Sequence, residues 1–301
     1  MKAQLTFIHA LSPLHAGIGH GAGVIDLPIA REKATGIPFL PGSSTKGALR
    51  TRCAQDKQLE QYQGIFGSEP SEVQEMRTGS VQFTDQRLLL LPVRSIAGTF
   101  AWVTSPYVLR RFLRDLIETQ GKEAALSLPI PHIEEKNQCI VTHESKLKQL
   151  QKKNQQEVQM VYLEDFDLTV DTTAAEQIDT WATMLGQAIF PDEDAWKVMF
   201  SERICLVHDD LFHFMCQHAT EIMTRIRLQD DTKTVTDGGL WYEEALPAET
   251  ILSGIAVINP VPPIPFSETQ ISKALNDITE RTLQFGGKAT VGRGLCRVHL
   301  V

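Results

Sequence analysis

The residues best suited to chemistry stand together near the N-terminus, in "HAGIGHGAGVIDLPIAREK", residues 15–33. Four glycines and two histidines, His15 and His20, fall within nine positions. One carboxylate, Asp26, follows in a short apolar stretch that ends on Arg31, Glu32 and Lys33. Glycine lets a backbone come close to a ligand, and the basic end suits an anion. A carboxylate there can hold a divalent cation or take a proton from a hydroxyl, and a histidine can act as acid or base. The residues alone leave plainer roles open: Asp26 as a turn residue or a partner for Arg31, and the histidines as surface groups.

Two other stretches read as anion sites. In "GGKATVGRGL", residues 286–295, Gly286, Gly287, Gly292 and Gly294 permit positive φ and an outward-facing nest of N–H groups, to which Lys288 and Arg293 add charge. The order is helix, loop, strand, so this is neither a P-loop nor a dinucleotide fingerprint. In "PGSSTKGALR", residues 41–50, a helix N-terminus carries the hydroxyls of Ser43, Ser44 and Thr45, then Lys46 and Arg50. Helix caps and a tight turn are the simpler explanation of each stretch taken singly. The net charge of −8 argues against general polyanion binding. Yet residues 31–52 hold five Lys/Arg against Glu32 alone, and residues 281–298 hold four with no acid. Two basic patches on an acidic body fit local contact with phosphates, and their separation suits a polymer backbone better than one nucleotide.

The elements that must position these groups follow from pattern. "QLTFIHA" alternates as a strand ended by Pro13, and about thirty loop residues lead to "LPGSSTKGALRTRCAQ", where Ser43 or Ser44 can cap a helix. "GSVQFTDQ", "GTFAWVT", "VQMVYLEDFDLTV", "TILSGIAVI" and "CRVHLV" read as strands. "SPYVLRRFLRDLIETQG" is a helix with Ser105 as cap, Pro106 first, and Val108, Phe112 and Leu116 on one face. "TTAAEQIDTWATMLGQAIF" and "SETQISKALNDITERTLQF" are helical, and "RICLVHDDLFHF" runs from strand to helix. Residues 133–157 read as an exposed polar insertion, and "TRIRLQDDTKTVTDGGLWYEEALP" as a hairpin with Asp-Gly-Gly in its connection. The interleaving predicts one α+β domain over 1–301, with helices on one face of the sheet and a ferredoxin-like core carrying large insertions.

Other features bound the class. No run of 18 apolar residues appears, and "MKAQLTFIHALSPLHAG" reads as a strand rather than a signal peptide. Five scattered cysteines fit reduced thiols in a cytoplasmic protein without membrane attachment. His208, His213, Cys216 and His218 match no zinc spacing, and Asp209 or Asp210 is a natural helix cap. Arg225 and Arg227 point the same way along a strand, as an anion-facing row or an ordinary salt-bridged face. No organic cofactor is expected.

"IDLPIAREKATGIPFLPGSSTKGALR" and "LQFGGKATVGRGL" resemble the RAMP superfamily of CRISPR proteins, and most nearly the repeated backbone subunits (subunit 4) of type III-B (Cmr) effector complexes. The resemblance extends over nearly the whole chain, through "VYLEDFDLTV" and "GGLWYEEALPAETIL". It implies an RRM-like core with a protruding thumb hairpin at about 222–247 and a mobile catalytic loop at about 14–41. It implies copies stacked head to tail along a guide (CRISPR) RNA beside other Cmr subunits, with single-stranded target RNA paired to the guide. The thumb would part the base pairs at regular intervals and splay one nucleotide, whose 2′-OH can then attack the adjacent phosphate in line. The loop aspartate that cuts target RNA in this family falls on Asp26, with Mg²⁺ or Mn²⁺ as the divalent ion. His15 would assist, and Glu243 or Glu244 would lie near the cut on a neighbouring copy, or else on a solvated strand edge. Arg31, Ser43, Ser44, Lys46, Arg50, Gly286, Gly287, Lys288, Arg293, Gly294 and Arg225 would contact RNA. The sequence also leaves open a guide-binding subunit without catalysis and a stand-alone guide-processing RAMP endoribonuclease.

Overall fold

Strand β1 (Lys2–Ala10) is buried from Gln4 onward, on both of its faces. Phe7 meets Phe112 with ring centroids 5.8 Å apart, while Gln4, an odd number of residues away, accepts a 2.8 Å bond from Ser272. Strand side chains alternate between faces, so this sheet is covered on both. The computed structural model describes residues 1–21, 23–67, 78–153, 156–262 and 265–301. Position 22 of the glycine loop and positions 154–155 of the expected insertion lie outside them.

After β1 come β2 (Phe39–Leu40), α1 (Gly42–Gln55), β3 (Val81–Phe83), β4 (Gln86–Arg94), β5 (Phe100–Thr104) and α2 (Pro106–Gln120). Then follow β6 (Gln138–Val141), β7 (Gln149–Lys153), β8 (Gln156–Leu163), β9 (Phe166–Val170), α3 (Ala175–Ile189), α4 (Asp194–Ser201), β10 (Ile204–Val207) and α5 (Asp209–His218). The last elements are β11 (Glu221–Leu228), β12 (Val235–Ala245), β13 (Ile251–Ile258), α6 (Glu268–Thr279), β14 (Leu283–Gln284) and β15 (Leu295–Leu300). One mixed sheet runs β14-β15-β1-β13-β4-β5-β10-β6-β9-β8-β7, with β2 added to β4 and β3 to β13. Its middle, β15-β1-β13-β4, is antiparallel throughout, and helices α1 and α6 lie on the β1-to-β4 and β13-to-β15 connections. The α+β class holds. Helices cover both faces rather than the one expected: α6 meets β15 and β13, and α2 packs on β1, β4 and β13.

Local chemistry explains most boundaries. Ser105 caps α2 by accepting from Val108 N–H, with Pro106 first in the helix, and Val108, Phe112 and Leu116 are buried as the pattern predicts. A capping box of Ser267 and Gln270 starts α6. Helix α1 departs from expectation: Pro41 occupies the N-cap position, and the Gly42 N–H donates to Asp85 Oδ1 at 3.0 Å. Ser43 and Ser44 sit exposed in the first turn instead of capping.

Three segments correct the sequence reading. "QRLLLLPVR" is a central strand, β4, although it contains Pro92. Its register with β13 covers Arg87 to Leu90, so the proline lies beyond that pairing and removes no donor from it. The polar stretch 133–157 is not wholly exposed: β6 inserts between β10 and β9, with Cys139, Ile140 and Val141 buried. "VQMVYLEDFDLTV" is a hairpin of β8 and β9, turned at Glu164 with φ 49°.

Strands β11 and β12 pair with each other in a separate two-stranded sheet, close to the span expected for a hairpin. The connection is residues 229–234, not Asp-Gly-Gly. Gly238, with φ +65°, lies within β12, where the register shifts between Ile226 and Leu228, as a bulge does. Alternation gives the hairpin two faces. One carries the exposed apolar residues Ile222, Ile226, Leu228, Val235 and Leu240, and the other carries Arg225, Trp241 and Glu243.

Candidate functional site

Asp26 is held at the foot of the hairpin. The segment around it runs beside β12 as a short added strand: Leu27 N–H donates to Tyr242 O and Glu244 N–H to Leu27 O, each at 3.0 Å. Asp26 Oδ2 accepts the Tyr242 N–H at 2.8 Å. The side chain is half-buried, with its second oxygen not engaged in any bond among the described residues. Gly19 and Gly23 stand exposed at the tip of the loop, and Gly21 is half-buried there.

Glu244, 2% exposed, is the anchor of this arrangement. One carboxylate oxygen accepts from Ile29 N–H at 3.1 Å, and the other from Arg31 and from Thr220 Oγ1 at 2.9 Å. Its backbone carbonyl accepts from His15 Nδ1 at 2.6 Å. A carbonyl only accepts, so His15 carries its proton on Nδ1 when neutral and presents Nε2 as an acceptor. Arg31 also donates to the carbonyls of Gly36 at 3.0 Å and Cys216 at 2.8 Å. This corrects the sequence reading: Arg31 is committed to a buried clamp rather than turned to an RNA phosphate, and its carboxylate partner is Glu244, not Asp26.

The neighbouring Glu243 faces the other way. Its carboxylate accepts from Trp241 Nε1 at 2.8 Å, Lys288 Nζ at 2.9 Å and Arg225 Nε at 3.2 Å. Burial alone would push its pKa up, but the Trp241, Lys288 and Arg225 contacts outweigh it and hold the value at about 2. Such a carboxylate is a poor base, because it does not accept a proton near neutral pH. The structure makes Glu243 a latch between the hairpin and the glycine loop rather than an acid–base group. Lys288 adopts φ 67°, in the left-handed region, and so holds its ammonium on the latch.

The two anion stretches, far apart in sequence, meet. Ser44, Gly47 and Ala48 of α1, Ala16 and Gly17 of the N-terminal loop, and Gly286 and Gly287 line one open polar cleft of about 340 Å³. Glycine is required at one wall: a Cβ at Gly286 would strike the His15 carbonyl. Lys46, on the α1 turn beside the cleft, makes no ion pair among the described residues. Desolvation, with Arg50 nearby, lowers its pKa, as expected of a cation without an anion.

Other members of the expected set are engaged internally. Gly287 N–H donates to His15 O and Gly294 N–H to Pro13 O, each at 2.9 Å, so these two are not part of an outward nest. Arg293, 5% exposed, pairs with Glu221 at 3.2 Å and contacts Met223 Sδ. Arg50 donates to Phe66 O at 2.7 Å. Trp241 and Glu221 escaped the sequence reading. Trp241 faces Arg225 across the hairpin, a pairing hidden once the turn is read at Asp-Gly-Gly.

No group of three or more His, Cys, Asp or Glu suited to a metal occurs among the described residues. His208 caps α5 through Asp210 N–H at 3.1 Å, a place expected for an aspartate, and Cys216 is buried. Asp26 offers one hard oxygen. That fits a magnesium-like ion only where phosphate oxygens and water complete the shell, not a site built by protein alone. Nor, among the described residues, is any helix long and apolar enough to cross a membrane.

Comparison with known proteins agrees with this arrangement. The RAMP superfamily matches residues 7–297. The CRISPR system Cmr endoribonuclease Cmr4 of Pyrococcus furiosus is 34% identical over 302 residues, covering 100% of this chain and 96% of that protein. The crystal structure of oligomeric Cmr4 from Pyrococcus furiosus superposes with a TM-score of 0.73 at 27% identity, covering 100% of this chain and 98% of that one. A chain in the cryo-EM structure of the type III-B Cmr-beta complex bound to cognate target RNA has the same fold, with a TM-score of 0.74 at 20% identity and coverage of 100% and 97%. This chain belongs to the RAMP superfamily, and its similarity to Cmr4 runs from end to end.

Proposed function

We propose that this chain is a guide-RNA-binding, multi-copy subunit of a type III-B CRISPR interference complex that cuts guide-paired target RNA through Asp26. The observation that carries the reading is a juxtaposition. Three sequence-distant segments close a polar, glycine-walled cleft, and the same N-terminal loop carries Asp26 to the foot of a projecting hairpin. The similarity to a Cmr endoribonuclease, to an oligomeric Cmr4 and to a chain of a target-bound Cmr complex supports it. Strands β15-β1-β13-β4 with α1 and α6 form the ferredoxin-like core, and β11–β12 is the thumb.

The chain's own groups then divide the work. The cleft, with Ser43, Ser44 and Lys46, grips the guide backbone without reading sequence, which pairing does. The hairpin enters the guide–target duplex and frees one nucleotide per copy from A-form stacking. Its 2′-OH can then align with the next phosphate, a geometry worth several orders of magnitude in rate. Asp26, fixed in place by the Tyr242 N–H, takes the hydroxyl proton as the 2′-oxygen bonds to phosphorus and the P–O5′ bond breaks, the 5′-oxygen leaving with a proton from water. Asp26 would be the residue that holds a Mg²⁺ or Mn²⁺ ion, which would supply charge neutralisation. His15 orients the loop through Glu244.

Copies stacked along one guide imply cuts at a fixed spacing. Assembled with guide RNA and the other subunits, the protein should convert an end-labelled target into a ladder of even steps. A single product, or a ladder without regular spacing, would contradict the reading.

A further inference from the structure

Trp241 is an aromatic side chain without a core to belong to. It stands half-buried on the polar face of the hairpin, opposite Arg225. The ring is nevertheless fixed, because its Nε1–H donates to the buried Glu243 at 2.8 Å. Two cations from different elements stand over it: the Arg227 guanidinium at 6.0 Å and the Lys288 ammonium at 5.9 Å from the ring. The lysine reaches that position from a left-handed backbone, with φ 67°, which a non-glycine residue adopts only when its surroundings hold it there.

An oriented, partly open aromatic ring flanked by two cations matches one ligand chemistry, a flat base joined to an anionic backbone. The cations lie as far from the ring as a second aromatic group does in a stacked pair (~4.5–7 Å). The long Arg227 stem can yield to a base and then pair with its phosphate, while Lys288 stays on Glu243 at 2.9 Å. The apolar face of the hairpin, with Ile226 and Leu240, carries no cation and suits the stacked duplex instead.

We propose that Trp241 is the stacking platform for the unpaired nucleobase that the hairpin frees, with Arg227 holding its phosphate and Lys288 and Glu243 fixing the ring. This rests on the hairpin entering the guide–target duplex. Because every base has a π face, the site tolerates any base, in keeping with recognition by pairing.

The test uses the assembled complex with Asp26→Asn in every copy and target RNA carrying 2-aminopurine at successive positions. Stacking on indole quenches this base. One position in each repeat should be quenched with Trp241, remain largely quenched with Trp241→Phe, and brighten severalfold with Trp241→Leu. Trp241→Leu should also lower target affinity by about tenfold. Leucine keeps an apolar side chain on the hairpin, so folding is not the variable. Equal fluorescence for Trp, Phe and Leu at every position overturns the proposal. Loss of all RNA binding by the unsubstituted complex would overturn the functional reading as well.

Discussion

The Tyr242 N–H bonds Asp26 Oδ2 at 2.8 Å, so the candidate catalytic carboxylate and the hairpin are one mechanical unit. The bond spans 216 residues of sequence and is reinforced on both sides by Leu27, which exchanges backbone bonds with Tyr242 and Glu244. Whatever positions the hairpin therefore positions Asp26.

Arg31 and Glu244 form the anchor under that unit. Breaking a buried ion pair by removing one partner costs about 3–5 kcal/mol, because the other charge is left without compensation. Arg31→Ala should lower unfolding stability by about that much in urea titration. It should leave the salt dependence of guide-RNA binding unchanged. A reduced salt slope with unchanged stability would return Arg31 to the RNA surface.

Lys46 and Arg293 separate a binding cation from a structural one. Lys46→Ala should weaken binding of all RNA sequences alike and reduce the salt slope by about one. Arg293→Ala should instead cost stability, since Arg293 is buried against Glu221. Binding titrations at several salt concentrations, set beside thermal melts, would distinguish the two.

The glycines differ in the same way. Gly294 has φ +73°, and a Cβ there would collide with the Phe285 carbonyl, so Gly294→Ala should destabilise by roughly 2 kcal/mol or more. Gly47 has open space around it on a helix, where alanine gains up to about 1 kcal/mol. It also lines the cleft. Gly47→Ala should therefore raise the melting temperature while lowering RNA affinity; unchanged affinity would show that phosphates do not pass over that turn.

Glu243 gives a pH signature. Its pKa is about 2 in the fold against an ordinary 4.5, so the charged latch stabilises the protein above the ordinary value and is lost as pH falls toward about 2. The loss is about 3 kcal/mol. Urea unfolding from pH 6 to pH 2 should show this acid limb, and Glu243→Gln should flatten it. Between pH 6 and pH 8 the latch contributes no pH dependence.

Much of this was legible in the residues, for identifiable reasons. Ser105-Pro106 and Ser267 with Gln270 announce their helices because capping is local chemistry. The glycine loop and the α1 turn stand out by residue type and charge, and the fold brings them to one cleft. Long-range partners are not written in that way. Arg31 and Arg293 look like phosphate ligands until the fold supplies Glu244 and Glu221. Pro92 hides a central strand, because the pairing that tolerates it is set by the register with β13. The Asp-Gly-Gly triplet reads as a turn and is a bulge, since six other residues already make the connection.

The central claim is that Asp26 cuts RNA. Its most direct test is the cleavage rate of guide-paired target by the complex assembled with Asp26→Asn, with target affinity measured in parallel. The account predicts a rate loss of at least about 100-fold with affinity unchanged. Cleavage at the unsubstituted rate would contradict it.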